Sequence, residues 1–216
     1  MEMRNEEGEV LAILNVDSSQ EENSIDRIVR QLQPGMGKGI YVAADKKISQ
    51  QTNYGAVKWL GGVTGLKAKL SPWEPVFPAG ANVIDIQVYY GFDNLTEEEI
   101  DEMARESSET GKDVVRDLKP NDTFVGVNLL YRKDETVFQF RIFGTTKSRI
   151  QIPDVEKQTI EKLTIRSNEA VYVGDDELQR LVWAEVGPTT GKALQYEVVA
   201  EESNRDWLIS ITESLS

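Results

Sequence analysis

Cysteine and histidine are both missing from this chain of 216 residues. Without cysteine there is no disulfide, no thiol nucleophile and no zinc–thiolate site. Without histidine there is no imidazole base, no Ser-His-Asp triad and no imidazole metal ligand. Catalysis would have to use carboxylate, Lys, Tyr, Ser or Thr groups, or a carboxylate-bound metal. Long hydrophobic runs are also missing, since no stretch approaches the ~20 apolar residues that a membrane-spanning helix needs. The start, Met1 to Glu7, is polar and acidic, which is not the pattern of a signal peptide.

Basic residues are in the minority. Lys and Arg total 24 against 37 Asp and Glu, a net charge of −13. That balance argues against a nucleic-acid partner, which needs clustered positive charge. Taken as a whole, it also predicts repulsion from an anionic membrane. The sign alternates along the chain: residues 31–74 and 123–167 are net basic, and the segments 1–30, 95–119 and 168–216 are net acidic. This pattern reads as a mixed, solvated surface.

Periodicity predicts three helices. One runs from a Ser24 cap through Leu32, with Ile25, Ile28, Val29 and Leu32 on one face, and stops before Pro34-Gly35. A second starts at Thr96, whose spacing to Glu99 is that of a capping box. Its apolar stripe of Ile100, Met103, Ala104, Ser107, Gly111, Val114, Val115 and Leu118 extends the helix to about Leu118, unless Gly111 breaks it. A third covers Asn204 to Leu215, capped by Ser203 and buried through Trp207, Leu208, Ile211 and Leu215.

Strands fill the intervals. Val83–Tyr90 alternates, and Thr123–Tyr131 with Thr136–Phe143 reads as a hairpin. In the second arm Phe138, Phe140 and Ile142 face one way, and Gln139 and Arg141 the other. Four further strands near 158–165, 169–174, 178–186 and 193–200 form an antiparallel meander. Segments 39–43 and 56–60 are additional strands, and Leu70 to Gly80, with three prolines, is an ordered extended crossing. The fold class is therefore α+β, with residues 1–23 an N-terminal, partly flexible segment and 24–216 a single domain.

Candidate chemistry is thin. Gly35-Met36-Gly37-Lys38-Gly39 is faintly like a phosphate loop, but Gly39 stands where a hydroxyl residue belongs and a strand follows, so a turn is the better reading. Glu97, Glu98, Glu99, Asp101 and Glu102 fan around a helix start and suit capping and its dipole better than a cation. Gly174-Asp175-Asp176-Glu177 reads as a hairpin turn rather than a calcium loop. Asn94-Leu95-Thr96 and Asn121-Asp122-Thr123 match a glycosylation acceptor, and equally a cap and a turn. Trp59, Trp73, Trp183 and Trp207, with Tyr41, Tyr89, Tyr90, Tyr172 and Tyr196, supply either a core or a pocket for an apolar ligand. No carboxylate dyad or Ser–Lys pair is marked by spacing. No catalytic, cofactor-binding or metal-ligating residue is therefore assigned, no cofactor is expected, and the binding residues are left open.

Three C-terminal pieces carry a resemblance: Leu181–Gly187, Leu194–Val198 and the helical Asp206–Leu215. Together they resemble the end of an uncharacterised bacterial extracytoplasmic domain family of anti-sigma-factor-like and lipoprotein-like proteins, related in fold to lipoprotein-sorting carriers. Leu32-Gln33-Pro34-Gly35-Met36, followed by Tyr41-Val42, is similar to the family's Leu-Lys-Pro-Gly lead-in. Leu70 to Gly80 is similar to its Leu-Pro-Glu-Gly-Tyr crossing, with Phe77-Pro78-Ala79-Gly80 standing in. The likeness spans about residues 70–215 and, weakly, 30–69. It implies a curved antiparallel half-barrel with helices on its concave face, in a protein tethered outside the membrane by an anchor not in this chain. It supplies no catalytic residue. The expected role is a non-catalytic binding or sensing domain for a protein partner or an apolar ligand. The alternatives are a carrier of a lipid or acylated peptide between sheet and helices, a His-free hydrolase, and a cytoplasmic location.

Overall fold

A computed structural model describes residues 2–5, 7–16, 24–144, 148–152, 158–175, 178–201 and 205–216. In chain order the elements are β1 (Glu2–Arg4), β2 (Val10–Val16), α1 (Ser24–Gln31), β3 (Met36–Val42), β4 (Lys47–Asn53), β5 (Ala56–Lys58), α2 (Gly62–Leu70), β6 (Asn82–Phe92), α3 (Glu97–Thr110), β7 (Val114–Asp117), β8 (Pro120–Lys133), β9 (Thr136–Gly144), β10 (Ser148–Ile152), β11 (Thr159–Ile165), β12 (Asn168–Gly174), β13 (Leu178–Val186), β14 (Ala193–Glu201) and α4 (Arg205–Glu213). The class is α+β, dominated by antiparallel sheet, and the sheets are not closed. The sequence reading took 24–216 as one domain. The chain divides into two compact units: residues 1–20, 58–88 and 126–216 form the first, and 21–57 with 89–125 the second.

In the first unit the strand order is β11-β12-β13-β14-β9-β8-β6. The meander β11 to β14 falls where alternation predicted it. Its first hairpin closes through Arg166 and Ser167, both left-handed (φ 48° and 66°), with Ile165 opposite Asn168. Two successive positive φ values make the tight turn whose twist matches paired strands. The hairpin of β8 and β9 also closes through a two-residue turn, Asp134-Glu135, in which Asp134 alone takes a positive φ (54°).

One face of this sheet is packed solid. Phe138, Phe140 and Ile142 of β9, Tyr196 and Val198 of β14, and Leu181 and Trp183 of β13 share it by register, and each is no more than 2% exposed. Trp183 and Tyr196 stack with ring centroids 5.2 Å apart, and Phe140 leans on both. α4 belongs to the same core through Leu208 and Ile211, and its Trp207 meets Phe138 edge-on. The predicted C-terminal helix is thus present; its proposed cap, Ser203, lies outside the described residues.

The crossing before β6 differs in its first half. Residues 62–70 are helix and Ser71–Trp73 a 3-10 turn, because Pro72 occupies an early helical position, where its missing N–H costs nothing. Glu74 reverses the chain in a left-handed conformation (φ 53°). Its carboxylate accepts from the Thr189 and Thr190 N–H groups at 2.9 and 3.3 Å, which holds its pKa below the usual carboxylate range. Beyond it the chain is extended: Phe77 and Ser216 exchange backbone hydrogen bonds at 3.1 Å, and the Ala79 N–H donates to Ser214.

The N-terminal segment is not merely a tail, for β1 pairs antiparallel with β2, and β10 pairs parallel with β2. β1 lies against β12 and β13, and Met3 (1% exposed) is buried with Val171, Val173 and Val182.

In the second unit β4-β3-β7 form an antiparallel sheet, with α3 against β3 and β7. α3 begins with the capping box read from sequence: Thr96 Oγ1 accepts from the Glu99 N–H at 3.2 Å, and Glu99 Oε2 accepts from the Thr96 N–H at 2.8 Å. It ends at Gly111, in the left-handed region at φ 68°, and not near Leu118. Val114 and Val115, placed on the helical stripe by periodicity, lie instead in β7, paired with Tyr41 and Ile40 of β3. A glycine C-cap ends the helix because it alone enters this region without a Cβ penalty.

Candidate functional site

Sheet register places a polar seam on the first unit's other face, opposite the aromatic core. One row across the strands reads Asn128, Arg141, Glu197, Val182 from β8 to β13. The row on one side is Leu130, Gln139, Val199, Arg180, and the row on the other is Gly126, Phe143, Gln195, Ala184. Period-two alternation puts these residues on the side away from the aromatic core, where the polar groups stand among Leu130, Phe143, Val182 and Val199. Gly126 is required here: a Cβ would collide with the Phe143 ring that lies over it.

Glu197 sits at the centre with its side chain 4% exposed, between Arg141 (31%) and Arg180 (25%). Arg141 Nη1 lies 3.4 Å from Glu197 Oε2, and Arg180 Nε pairs with Glu197 Oε1, close in distance but off hydrogen-bond alignment. Arg141 Nε also donates to Gln139 Oε1 at 3.2 Å, and Asn128 Nδ2 donates to the same oxygen at 3.4 Å. Among the described residues, Asn128 Oδ1 and the nearly buried Gln195 Oε1 accept no hydrogen bond. Two guanidiniums thus share one carboxylate, which leaves one positive charge in excess beside unmatched amide acceptors. Such a surface can hold an anionic group and accept N–H donors together, as a polypeptide partner presents them. Val137 (39% exposed) continues the same face toward solvent.

The described cavities lie elsewhere. A polar one of about 300 Å³ in the first unit includes Asn5, Glu7, Arg166, Asn168 and Glu185 in its lining. Its walls are tied together, since Glu185 Oε1 accepts from both Arg166 Nε and Trp183 Nε1. A cleft of about 510 Å³ in the second unit lies between the β3–β4 turn and the C-terminal end of α3. Ser107 there donates to the Lys112 carbonyl, and Asp113 accepts from the Ala43 N–H.

The motifs weighed in the sequence resolve into structure. Gly37 and Gly39 lie in β3, where a Cβ would strike Phe92 and Leu118 at Gly37, and Leu95 at Gly39; those glycines accommodate apolar side chains. Glu99 caps α3, and its hydrogen bonds from Thr96 lower its pKa. Asp175 accepts from the Leu178 N–H in the β12–β13 turn, while Asp176 and Glu177 lie outside the described residues. Asn121 accepts from the Thr123 N–H and donates to Asp93, so it organises a turn. Thr96 is the cap. Of the aromatics, Trp73, Trp183, Tyr172 and Tyr196 are buried; Tyr41, Trp59, Tyr89, Tyr90 and Trp207 are half-buried. Among the described residues no group of three or more carboxylates is placed to hold a metal ion.

Sequence reasoning identified Gln139 and Arg141 as facing away from the core but did not join them to Arg180 and Glu197. The usable signal was a single charge set inside a run of apolar strand residues, Arg180 before Leu181 and Glu197 between Tyr196 and Val198. No protein-family model matches the chain, and no curated protein or solved structure matches it.

Proposed function

We propose that this chain is a non-catalytic extracytoplasmic binding or sensing domain of a membrane-anchored regulatory or lipoprotein-like protein, and that it engages a protein partner through the sheet face centred on Glu197. In this reading the first unit's sheet is a half-barrel. The observation that carries the proposal is the inequality of the two faces. One is filled by Trp183, Tyr196, Phe138 and Phe140; the other, packed under Met3 of β1 at Val171, Val173 and Val182, holds beside that contact two partly exposed arginines around a buried carboxylate. A face with unmatched donors and acceptors is poised to exchange water for a polar partner. A lipid carrier would need apolar volume on the α4 side, where stacked aromatic rings occupy the space. The protein-partner reading is therefore the better supported of the two.

The anchor and compartment are tested with the natural gene, including whatever reading frame precedes Met1. Protease added outside spheroplasts of the native host should cleave the protein in the membrane fraction. Complete protection until the cells are lysed would overturn the extracytoplasmic assignment.

A further inference from the structure

The most exposed large apolar side chain among the described residues is Leu60, at 87%. It stands at the tip of the loop between β5 and α2, and the shape of that loop is fixed. The Trp59 N–H donates to the Ile86 carbonyl at 2.9 Å, and the Trp59 indole N–H donates to the Gly62 carbonyl at 3.0 Å. Gly61 leaves room for the indole, and Gly62 takes φ +64°, so two glycines shape the tip. With its one polar atom satisfied inside the loop, Trp59 presents only apolar surface outward. Ile84, in the neighbouring strand, is 46% exposed.

Lysines and no acidic residue follow this tip along the chain, with Lys67 and Lys69 in the last turn of α2. From Lys58 to Leu70 the chain has three lysines and no acidic residue, although the protein as a whole carries −13. Lys58 pairs with Asp85 at 3.3 Å. Lys67 and Lys69 lie on the exposed side of α2, while Leu66 and Leu70 point into the core. The Lys67 ammonium stands 5.0 Å above the Phe77 ring, and neither Lys67 nor Lys69 has a carboxylate partner among the described residues. The local excess is thus positive, in contrast with the repulsion expected from total charge. At ~0.1 M salt the Debye length is about 10 Å, so an approaching surface responds to the nearest charges first.

We infer that the Trp59–Lys69 surface docks on anionic phospholipid headgroups, with Leu60 inserted among the acyl chains and Lys67 and Lys69 over the phosphates. An apolar tip of Leu60 with parts of Trp59 and Ile84 offers too little area for a stable protein interface, which buries upward of about 1,000 Å². It suits a fluid interface that closes around a small insertion. The inference builds on the anchored, extracytoplasmic reading, because a tether raises the effective concentration that such a weak contact needs.

The test is flotation of the purified full chain with vesicles of phosphatidylcholine alone and of phosphatidylcholine with phosphatidylglycerol, at millimolar lipid and low salt. Binding to the phosphatidylglycerol vesicles only, weakened by added salt, is the expected result. Leu60→Ser and the double substitution Lys67→Glu, Lys69→Glu should each reduce that partition about fivefold or more. These positions are exposed, and an unchanged far-ultraviolet circular dichroism spectrum confirms that the variants fold. Equal partition into both vesicle types, no partition, or variants that bind like the parent would overturn the inference. Those outcomes leave the compartment assignment untouched, since protease accessibility in cells decides it separately.

Discussion

Removing the Glu197 carboxylate tests the electrostatics of the seam. Glu197→Ala leaves Arg141 and Arg180 facing each other across a site whose centre is 4% exposed. Breaking a buried pair by deleting one partner costs about 3–5 kcal/mol. The guanidiniums are 31% and 25% exposed, so water recovers part of their solvation and the expected loss falls to about 2–4 kcal/mol. With a urea slope of about 2 kcal/mol per molar, the midpoint should fall by roughly 1–2 M. Tryptophan fluorescence is the appropriate probe, because Trp59, Trp73, Trp183 and Trp207 all lie in the first unit. The contrasting variant replaces all three charges: Arg141→Met, Arg180→Met and Glu197→Leu. It removes the like-charge conflict and should unfold at or above the parent midpoint. A shift below about 0.3 M for Glu197→Ala, or an equal loss in the triple variant, would refute the reasoning.

Burial raises the pKa of Tyr131 and Tyr196 above the ordinary 10.0. The folded state therefore keeps protons that the unfolded chain releases, so this stability is fully present below pH 10 and declines as pH rises above it. Absorbance at 295 nm should show these two phenols titrating only as tryptophan fluorescence reports unfolding; smooth titration of every tyrosine in the folded protein would contradict their burial. Gly39→Ala should destabilise the second unit by about 1–3 kcal/mol, read by urea denaturation with circular dichroism, because the added methyl meets Leu95. Thr96→Ala should cost about 1 kcal/mol in the same assay through loss of the α3 cap. Leu208→Ala, in the packed face under α4, should cost about 2–5 kcal/mol by tryptophan fluorescence; a negligible change would mean that α4 adds little to that core.

The sheet was legible where side chains alternate cleanly and turns carry their own chemistry. Strands β11 to β14 and the β8–β9 hairpin lie within a few residues of their predicted bounds. The α3 cap was legible because Thr96 and Glu99 are local partners. The end of α3 was not, since Val114 and Val115 fit a helical period and a strand equally well; pairing with β3 decides, and that contact is distant in sequence. Helix α2 was missed because Gly61, Gly62 and Gly65 are poor helix formers, and burial of Leu66 and Leu70 outweighs them. β4 was missed because Ser49-Gln50-Gln51-Thr52-Asn53 has no apolar alternation and is held by its partner strand. Of the candidate site, each charge was visible in its own strand. Their convergence was not, because Arg141 and Glu197 are 56 residues apart and meet only through sheet register.

Site-specific photo-crosslinking in the native host tests partner engagement most directly. A photoreactive residue at Val137, exposed on the polar sheet face, should give a discrete protein adduct that disappears when Arg141 and Arg180 are both replaced by Gln. The same residue at Val115, exposed in the second unit, should not give that adduct. Loss of the adduct with the arginines is the result expected of a partner-binding face. No adduct at Val137, or one that persists without the arginines, would contradict binding through this seam.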